Sequence, residues 1–295
     1  MRAVWFVVAR LARDRSALIG LVLIALLVAA ALLAPVLSTH PDDVFELHPS
    51  ERLRAPSGTH WLGTDRMGAD VYSRLLFGAR ITILIGLIAV GASLLIGVPI
   101  GLVAGYYHGW PSDLLMRASD VFLAVPQVVL AIAIAQTLGP SLPNVILALS
   151  VTYWPWFARV VYAETRALQK EPFVESTAAL GASPWRLTVL HVLPNIASPI
   201  IVRSSIGMGF TILTAAALGF LGLGPPPPTP EWGRTIAESR EFLPGAWWYA
   251  AAPGVAIFLT VMGFNLLGDG LRDVLDPRLR RAGVAVRASA GNADV

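Results

Sequence analysis

Residues 81–103 read ITILIGLIAVGASLLIGVPIGLV, a stretch without a single charged side chain. An α-helix rises about 1.5 Å per residue, so roughly 20 such residues cross the hydrocarbon core of a bilayer. Five further runs resemble it. Residues 17–37 are uninterrupted and apolar. Residues 121–138 hold no charge, and Gln127 and Gln136 are their only strongly polar members. Residues 142–157 are shorter and contain Pro143 and Pro155. Residues 196–223 carry one charge, Arg203, near their start, and residues 247–267 carry none. A charge at mid-bilayer costs at least about 2.5–3.5 kcal/mol on insertion scales. Five runs free of Asp, Glu, Lys and Arg are what lipid demands, whereas a soluble helical core has no such requirement. The reading is an all-α integral membrane fold with six transmembrane helices.

The composition agrees. Of 295 residues, 55% are hydrophobic and 14% charged, and the mean hydropathy is +0.65. Ordinary soluble domains carry about 25% charged residues. Disorder is excluded by the apolar content, and disulfides and thiolate metal sites by the lack of cysteine. Six spans put both termini on one face. Residues 1–16, 104–120, 158–195 and 268–295 hold fourteen basic residues, against seven on the opposite face. The positive-inside rule therefore predicts cytoplasmic termini. Arg2, Arg10, Arg13 and Arg15 before an apolar run mimic a signal peptide, but a cleaved signal has an apolar core of only about 7–15 residues. The run is read as an uncleaved first span. The net charge of +3 is explained by basic helix ends facing anionic membrane lipid and calls for no nucleic acid.

Three segments outside the spans stand out. The first outer loop, residues 38–80, is too small and too polar to hold its own core, and is expected to pack on the rest of the chain or on a neighbour. The last outer loop contains GPPPPTP at 224–230, expected to be a stiff polyproline II stretch. Trp232 follows it, and Trp247, Trp248 and Tyr249 are read as an interfacial aromatic anchor. Gly97, Gly101 and Gly105, four apart, form a small-residue stripe suited to close helix packing.

The inner loop 159–195 is too long for a simple connection. Its second half reads KEPFVESTAALGASPWRLTVLHVLPN, residues 170–195. Pro172 suits a helix start, and Glu175 in the first turn suits the helix dipole. Ser176, Thr177, Ala178, Ala179 and Leu180 continue the helix, and Gly181 can leave it with positive φ. Ser183 and Pro184 then suit the cap and first position of a second helix. Its apolar side is Trp185, Leu187, Val189 and Leu190. Two short helices with a smooth small-residue face fit a groove on a partner protein. An amphipathic segment lying on the membrane is the alternative, poorly served by Lys170 and Arg186 as its only nearby cations.

Glu175, Ala178, Ala179, Gly181 and Leu193-Pro194 together resemble the cytoplasmic signature of the membrane subunits of ABC importers. The family usually writes Glu-Ala-Ala at the head of this motif, where this chain has Glu175-Ser176-Thr177. Four other stretches resemble the dipeptide and oligopeptide permeases: HWLGTDRMGADVYSRLLFGAR at 60–80, GYYHGWPSDLLMRASD at 105–120, GFLGLGPPPPTPEWG at 219–233 and NLLGDGLRDVLDPRLRR at 265–281. Five strings in order cover almost the whole chain, and the long first outer loop favours the C member of the permease pair.

The resemblance implies a type I ABC importer transmembrane domain in a bacterial or archaeal cytoplasmic membrane. The expected layout is a tail, first span and outer loop over 1–80, a core permease domain over 81–275 with its coupling loop at 159–195, and a cytoplasmic tail over 276–295. The implied partners are a homologous second permease, two ATPase subunits and an extracytoplasmic substrate-binding protein. The coupling residues are Glu175 to Gly181, His191, Leu193 and Pro194. The outer-loop motif comprises Gly63, Thr64, Asp65, Gly68, Asp70, Pro226, Pro227 and Trp232.

Catalytic chemistry is not expected. The sequence has no P-loop, so ATP and magnesium belong to the partner ATPases and this chain binds no cofactor of its own. His40, His48 and His60 in the outer loop are spaced for no tight metal site. Asp65 and Asp70, set among glycines, are read as turn-forming rather than as paired acid and base. An ion-coupled secondary carrier is the competing class, but it usually needs ionisable groups near mid-membrane. Di- or oligopeptides are the expected cargo, with nickel chelates or another small solute as the alternative. The cavity-lining residues are left open.

Overall fold

The computed structural model describes residues 14–46 and 48–275. Arg2, Arg10, Arg13 and the tail 276–295, placed in the cytoplasm by the charge argument, lie outside the described residues. The helices are α1 (Arg15–Leu32), α2 (Val71–Tyr106), α3 (Trp110–Ala124), α4 (Gln127–Leu138), α5 (Leu142–Leu168), α6 (Pro172–Ala179), α7 (Ala197–Phe220), α8 (Trp232–Ser239) and α9 (Trp247–Leu275). Five of them, α1, α2, α5, α7 and α9, are long and apolar enough to cross a membrane.

The sixth expected span has a different form. Residues 121–138 do not make one straight helix, because α3 and α4 meet at 86°. The cause is local: Pro126 disfavours helical geometry in the residue before it, and Val125 is extended at φ −94°, ψ 132°. Two other boundaries also move. The helix expected from residue 81 begins at Val71, because the Asp70 side chain caps it by accepting from the Ser73 N–H at 2.8 Å. The fourth apolar run continues as helix to Leu168, so the inner loop starts there rather than at 159.

Packing centres on α2 against α5. A Cβ on Gly97 would lie 2.7 Å from the Phe157 Cβ, one on Gly101 2.6 Å from the Ala158 carbonyl oxygen, and one on Gly105 2.6 Å from the Thr165 Cβ. The stripe therefore brings the two backbones together over its whole length. Association in lipid relies on such van der Waals contact, because apolar surface gains little from leaving hydrocarbon. The Ser93 hydroxyl donates to the Ser150 carbonyl at 3.0 Å in the same interface. Around it, Val98, Leu102, Tyr153, Phe157, Val161, Ile200 and Ile212 form the largest buried cluster and bring in α7. Helix α9 packs between α7 and α1, and α1 starts under the Asp14 cap, whose carboxylate accepts from the Ser16 and Ala17 N–H groups.

Two ends of the bundle differ. At one, which we call the α8 end, the first long loop folds back on α9. Trp248 donates its indole N–H to the Thr64 carbonyl at 3.3 Å, and Trp232 donates to the Leu75 carbonyl at 3.0 Å. Trp248 and Tyr249 are consequently buried, and only Trp247 of the expected interfacial anchor is open to its surroundings. The proline run is not a continuous polyproline II stretch either. It turns at 226–229, where the Thr229 N–H donates to the Pro226 carbonyl at 3.2 Å and the Pro227–Pro228 bond is cis.

Glu231 caps α8, accepting from the Gly233 N–H at 2.8 Å and the Arg234 N–H at 2.7 Å. Its carboxyl is packed against Gly219, in the space a side chain there would need. Burial pushes its pKa from 4.5 up to about 7, against the pull of those N–H groups and of Arg234.

Two outcomes follow from this packing. Replacing Gly101 by Leu forces a side chain into backbone, and overpacking of this kind costs about 1–3 kcal/mol or more. The thermal midpoint of the purified variant in detergent should fall by several degrees, and an unchanged midpoint would show that α2 and α5 do not meet at the stripe. For Glu231 the folded-state pKa lies above the ordinary value, so its contribution to stability is complete below about pH 4.5 and is lost as pH rises toward 7. Unfolding midpoints of the native chain, measured relative to Glu231→Gln, should decline across that window and level off above it. Parallel profiles would contradict the buried, raised carboxyl.

Candidate functional site

The inner loop folds into two helical pieces. Pro172 occupies the first turn of α6 and Glu175 follows within it. Gly181 then ends the helix with φ +85°, a left-handed conformation that a side-chain-bearing residue adopts only at a cost. Ser183 caps the next piece by accepting from the Arg186 N–H, with Pro184 in its first turn. Helical backbone then runs from Pro184 to Asn195, passing through a π-helical stretch at Leu187–Val192. His191 is half-buried there, and its carbonyl accepts from the Asn195 side-chain amide at 2.6 Å. Leu193 and Pro194 close the segment.

Its outer face is apolar and uncovered. Leu180 is 88% exposed and Trp185 76%, with Phe173 and Leu190 also open. Glu175, Ser176, Ala178, Ala179 and Gly181 share this exposure, while Thr177 is half-buried. Val174 and Leu187 hold the platform down from below, both buried. The departure at Ser176-Thr177 proves less polar than the sequence implies. Ser176 donates its hydroxyl to the Pro172 carbonyl and Thr177 to the Phe173 carbonyl, each at 2.6 Å. Both donors are thus spent within α6, which leaves its surface there close to that of alanines. The platform is fixed to the bundle by Gln169, whose amide donates to the Tyr106 carbonyl at 2.8 Å. The sequence reading missed this anchor, which joins residues 63 positions apart and leaves no local signal in the chain. Beside it, Glu175, Arg166, Lys170 and His108 line a cavity of about 440 Å³.

At the α8 end the expected motif residues converge. Asp65 accepts from the Met67 N–H at 2.7 Å and the Ala69 N–H at 2.9 Å, and pairs with Arg74 at 3.4 Å. Burial raises the Asp65 pKa, and Arg74 opposes the rise. Gly63 and Gly68 take positive φ in the turns around it, and Thr64 bridges to Asp70. Asp65 and Trp232 line the same small cavity. Pro226 and Pro227 lie in the turn that leads to α8, joined to this cluster by no hydrogen bond among the described residues.

The histidines depart from expectation. Although their spacing suggests no tight group, the fold stacks His40 on His60 at 4.6 Å between ring centroids. Ligand-capable atoms of His40, His60 and Asp70 lie within 4.8 Å of one another. The group forms a hydrogen-bonded lock: Asp70 meets the His60 Nδ1 at 2.9 Å and also accepts from Thr39, from Ser73 N–H and from the Ser73 hydroxyl.

Comparison with known proteins fits this arrangement. Residues 97–281 match the family model of the binding-protein-dependent transport system inner membrane component, and residues 4–56 that of the N-terminal TM domain of oligopeptide transport permease C. The chain is 43% identical to the dipeptide transport system permease protein DppC of Alkalihalophilus pseudofirmus, over 92% of this chain and 88% of that one. It is 42% identical to the di/tripeptide permease DppC of Pseudomonas aeruginosa, over 92% and 91%. Identity to the glutathione permease GsiD of Pectobacterium atrosepticum is also 42%, over 92% and 90%. Among solved structures, an inward-facing MetNI methionine ABC transporter chain superposes with a TM-score of 0.56 at 18% identity, covering 68% of this chain and 96% of that one, which shows the shared fold. With both family models matched, and with relatives this similar along nearly its whole length, the chain belongs to the binding-protein-dependent transport system inner membrane component family, as a C-type subunit of its dipeptide and oligopeptide branch.

Proposed function

We propose that this permease imports small peptides, glutathione-like tripeptides included, and that its 172–194 segment is the part that receives the work of ATP hydrolysis. The observation that carries the reading is the uncovered Leu180–Trp185 platform. It stands on a glycine hinge at the end of the bundle opposite the Trp232 and Trp248 locks. Such a surface matches a helix laid into a groove on a partner. The partner is an ATPase subunit, two of which bind the ATP and magnesium. A homologous second permease completes the membrane pathway, and an extracytoplasmic binding protein delivers cargo at the α8 end. The platform and both termini are then cytoplasmic, in agreement with the balance of basic residues. Relatives of this identity named for dipeptides, di/tripeptides and glutathione support the cargo class.

In this scheme ATP favours one conformation only through contacts that differ between two states. Closure of the ATPases moves the platform, and α5, which ends beside it, and α7, which begins beside it, tilt with it. Gly181 makes a direct test. Beyond the adjoining residues nothing lies within 4 Å of a Cβ built there, so Gly181→Val acts chiefly through the strain of a β-branched residue at φ +85°. Uptake of a dipeptide by cells should be lost with the protein still present in the membrane, and normal uptake would refute the hinge. Leu180→Asp tests the surface itself. It should lower co-purification of the ATPase with the permease at least tenfold, whereas undiminished recovery would move the docking site elsewhere.

A further inference from the structure

One apolar run carries a cation, Arg203. Arg203 lies on α7, six residues from its start at Ala197, hence about 9 Å along the axis from the platform end. Among the described residues it enters no ion pair. Its guanidinium instead stacks 4.5 Å from the centre of the Trp156 ring and 5.5 Å from that of Tyr153. Its Nε is buried without a hydrogen-bond partner. A neighbouring cation shows the contrast: Arg159, one turn beyond Trp156 on α5, pairs with Asp120 of α3.

Trp156 connects this cation to the α3–α4 bend. Its indole N–H donates at 3.1 Å to the side-chain oxygen of Gln127, the first residue of α4. The other end of that amide, Nε2, is buried and unpartnered. Two donors, Arg203 Nε and Gln127 Nε2, therefore stand unused beside one indole that is 39% exposed. Both requirements are wrong for a lipid-facing surface, where charge and unmade hydrogen bonds are costly. Both are met by a ligand that offers negative charge and acceptor oxygens. A helix broken within a membrane domain is tolerated where it is buried in protein or lines a water-filled path, and α3 and α4 break at 125–126 with an 86° bend.

We propose that Arg203, Gln127 and Trp156 form a binding site for the carboxylate of the transported solute. Arg203 supplies the charge and the fork of donors that matches a carboxylate, Gln127 adds its free amide N–H, and Trp156 holds the guanidinium in place. The site rests on the small-peptide reading, since a free peptide always ends in a carboxylate.

The absence of native cysteine allows a test that does not depend on uptake. Ala124→Cys, exposed at the bend and outside the proposed trio, is placed in the assembled transporter in nanodiscs and labelled with an anionic and a cationic methanethiosulfonate reagent. Rates are divided by those at Glu171→Cys, an exposed reference in the inner loop. The anionic reagent should react at least tenfold faster, Arg203→Gln should abolish that preference, and Arg203→Lys should keep most of it. Millimolar dialanine should slow the anionic labelling several-fold, and dialanine amide should not. No labelling, or a preference that survives Arg203→Gln, would overturn the site. So would a preference that dialanine leaves untouched, which would place Arg203 against a lipid headgroup phosphate. If Ala124→Cys does not assemble, Val128→Cys, exposed in the first turn of α4, takes its place with the same outcomes. Failure of the peptide reading is separate, since it would appear as absent dipeptide uptake by the unaltered transporter.

Discussion

Close approach of α2 and α5 is the contact on which the rest of the molecule hangs. In lipid a helix gains little by burying apolar surface, so backbones must come near enough for dense van der Waals contact. Gly97, Gly101 and Gly105 allow this, with Phe157, Ala158 and Thr165 filling the space where side chains would stand. The same pair of helices then reaches both ends of the bundle. Continued past the stripe, α2 and α5 reach Tyr106 and Gln169, whose hydrogen bond anchors the inner-loop platform. In the other direction α2 reaches Asp70, which caps it, and Leu75, whose carbonyl receives Trp232. The platform is thereby joined to a close-packed pair of helices, not to a loose loop.

The spans were legible because lipid imposes a simple rule on composition. The runs 81–103, 196–223 and 247–267 each lie in or along an observed helix, and the glycine stripe packs as its spacing implies. The two-helix form of the inner loop was equally readable, since Pro172, Gly181, Ser183 and Pro184 are local signals and act locally. What eluded the sequence depends on contacts between distant segments or on a single backbone torsion. Val125 turns extended before Pro126, and a run that looks like one span becomes a bent pair. Val71–Arg80 reads as loop because of its arginines, yet Arg74 is drawn into an ion pair with Asp65 and Arg80 donates to the Ala31 carbonyl. The aromatic cluster at 247–249 has the composition of a membrane-interface belt, and two of its rings are instead used for internal packing. His40 and His60 are twenty positions apart in sequence, and the outer loop stacks them.

The candidate site followed the same division. In the inner loop Pro172, Gly181, Ser183 and Pro184 take the helix-start, helix-exit and cap positions that their local chemistry implies, while Leu187 is buried apart from the exposed Trp185 and Leu190 with which the sequence grouped it. By contrast, the sequence presents Gln127 and Arg203 only as interruptions in apolar runs. Their common neighbour, Trp156, is visible only once α4, α5 and α7 are assembled. Polar groups that look like blemishes in a span are better taken as markers of where the membrane domain faces water.

The central claim is that the 172–194 segment is the surface through which a partner ATPase acts. Lys170, exposed at its edge, is the only lysine in the chain, so an amine-reactive cross-linker reports on this segment almost alone. Applied to the transporter purified from its native membrane and read by mass spectrometry, it should join Lys170 to an ATPase subunit. Recovery of that ATPase with cross-links only to other parts of this chain, or with none from Lys170, would contradict the account.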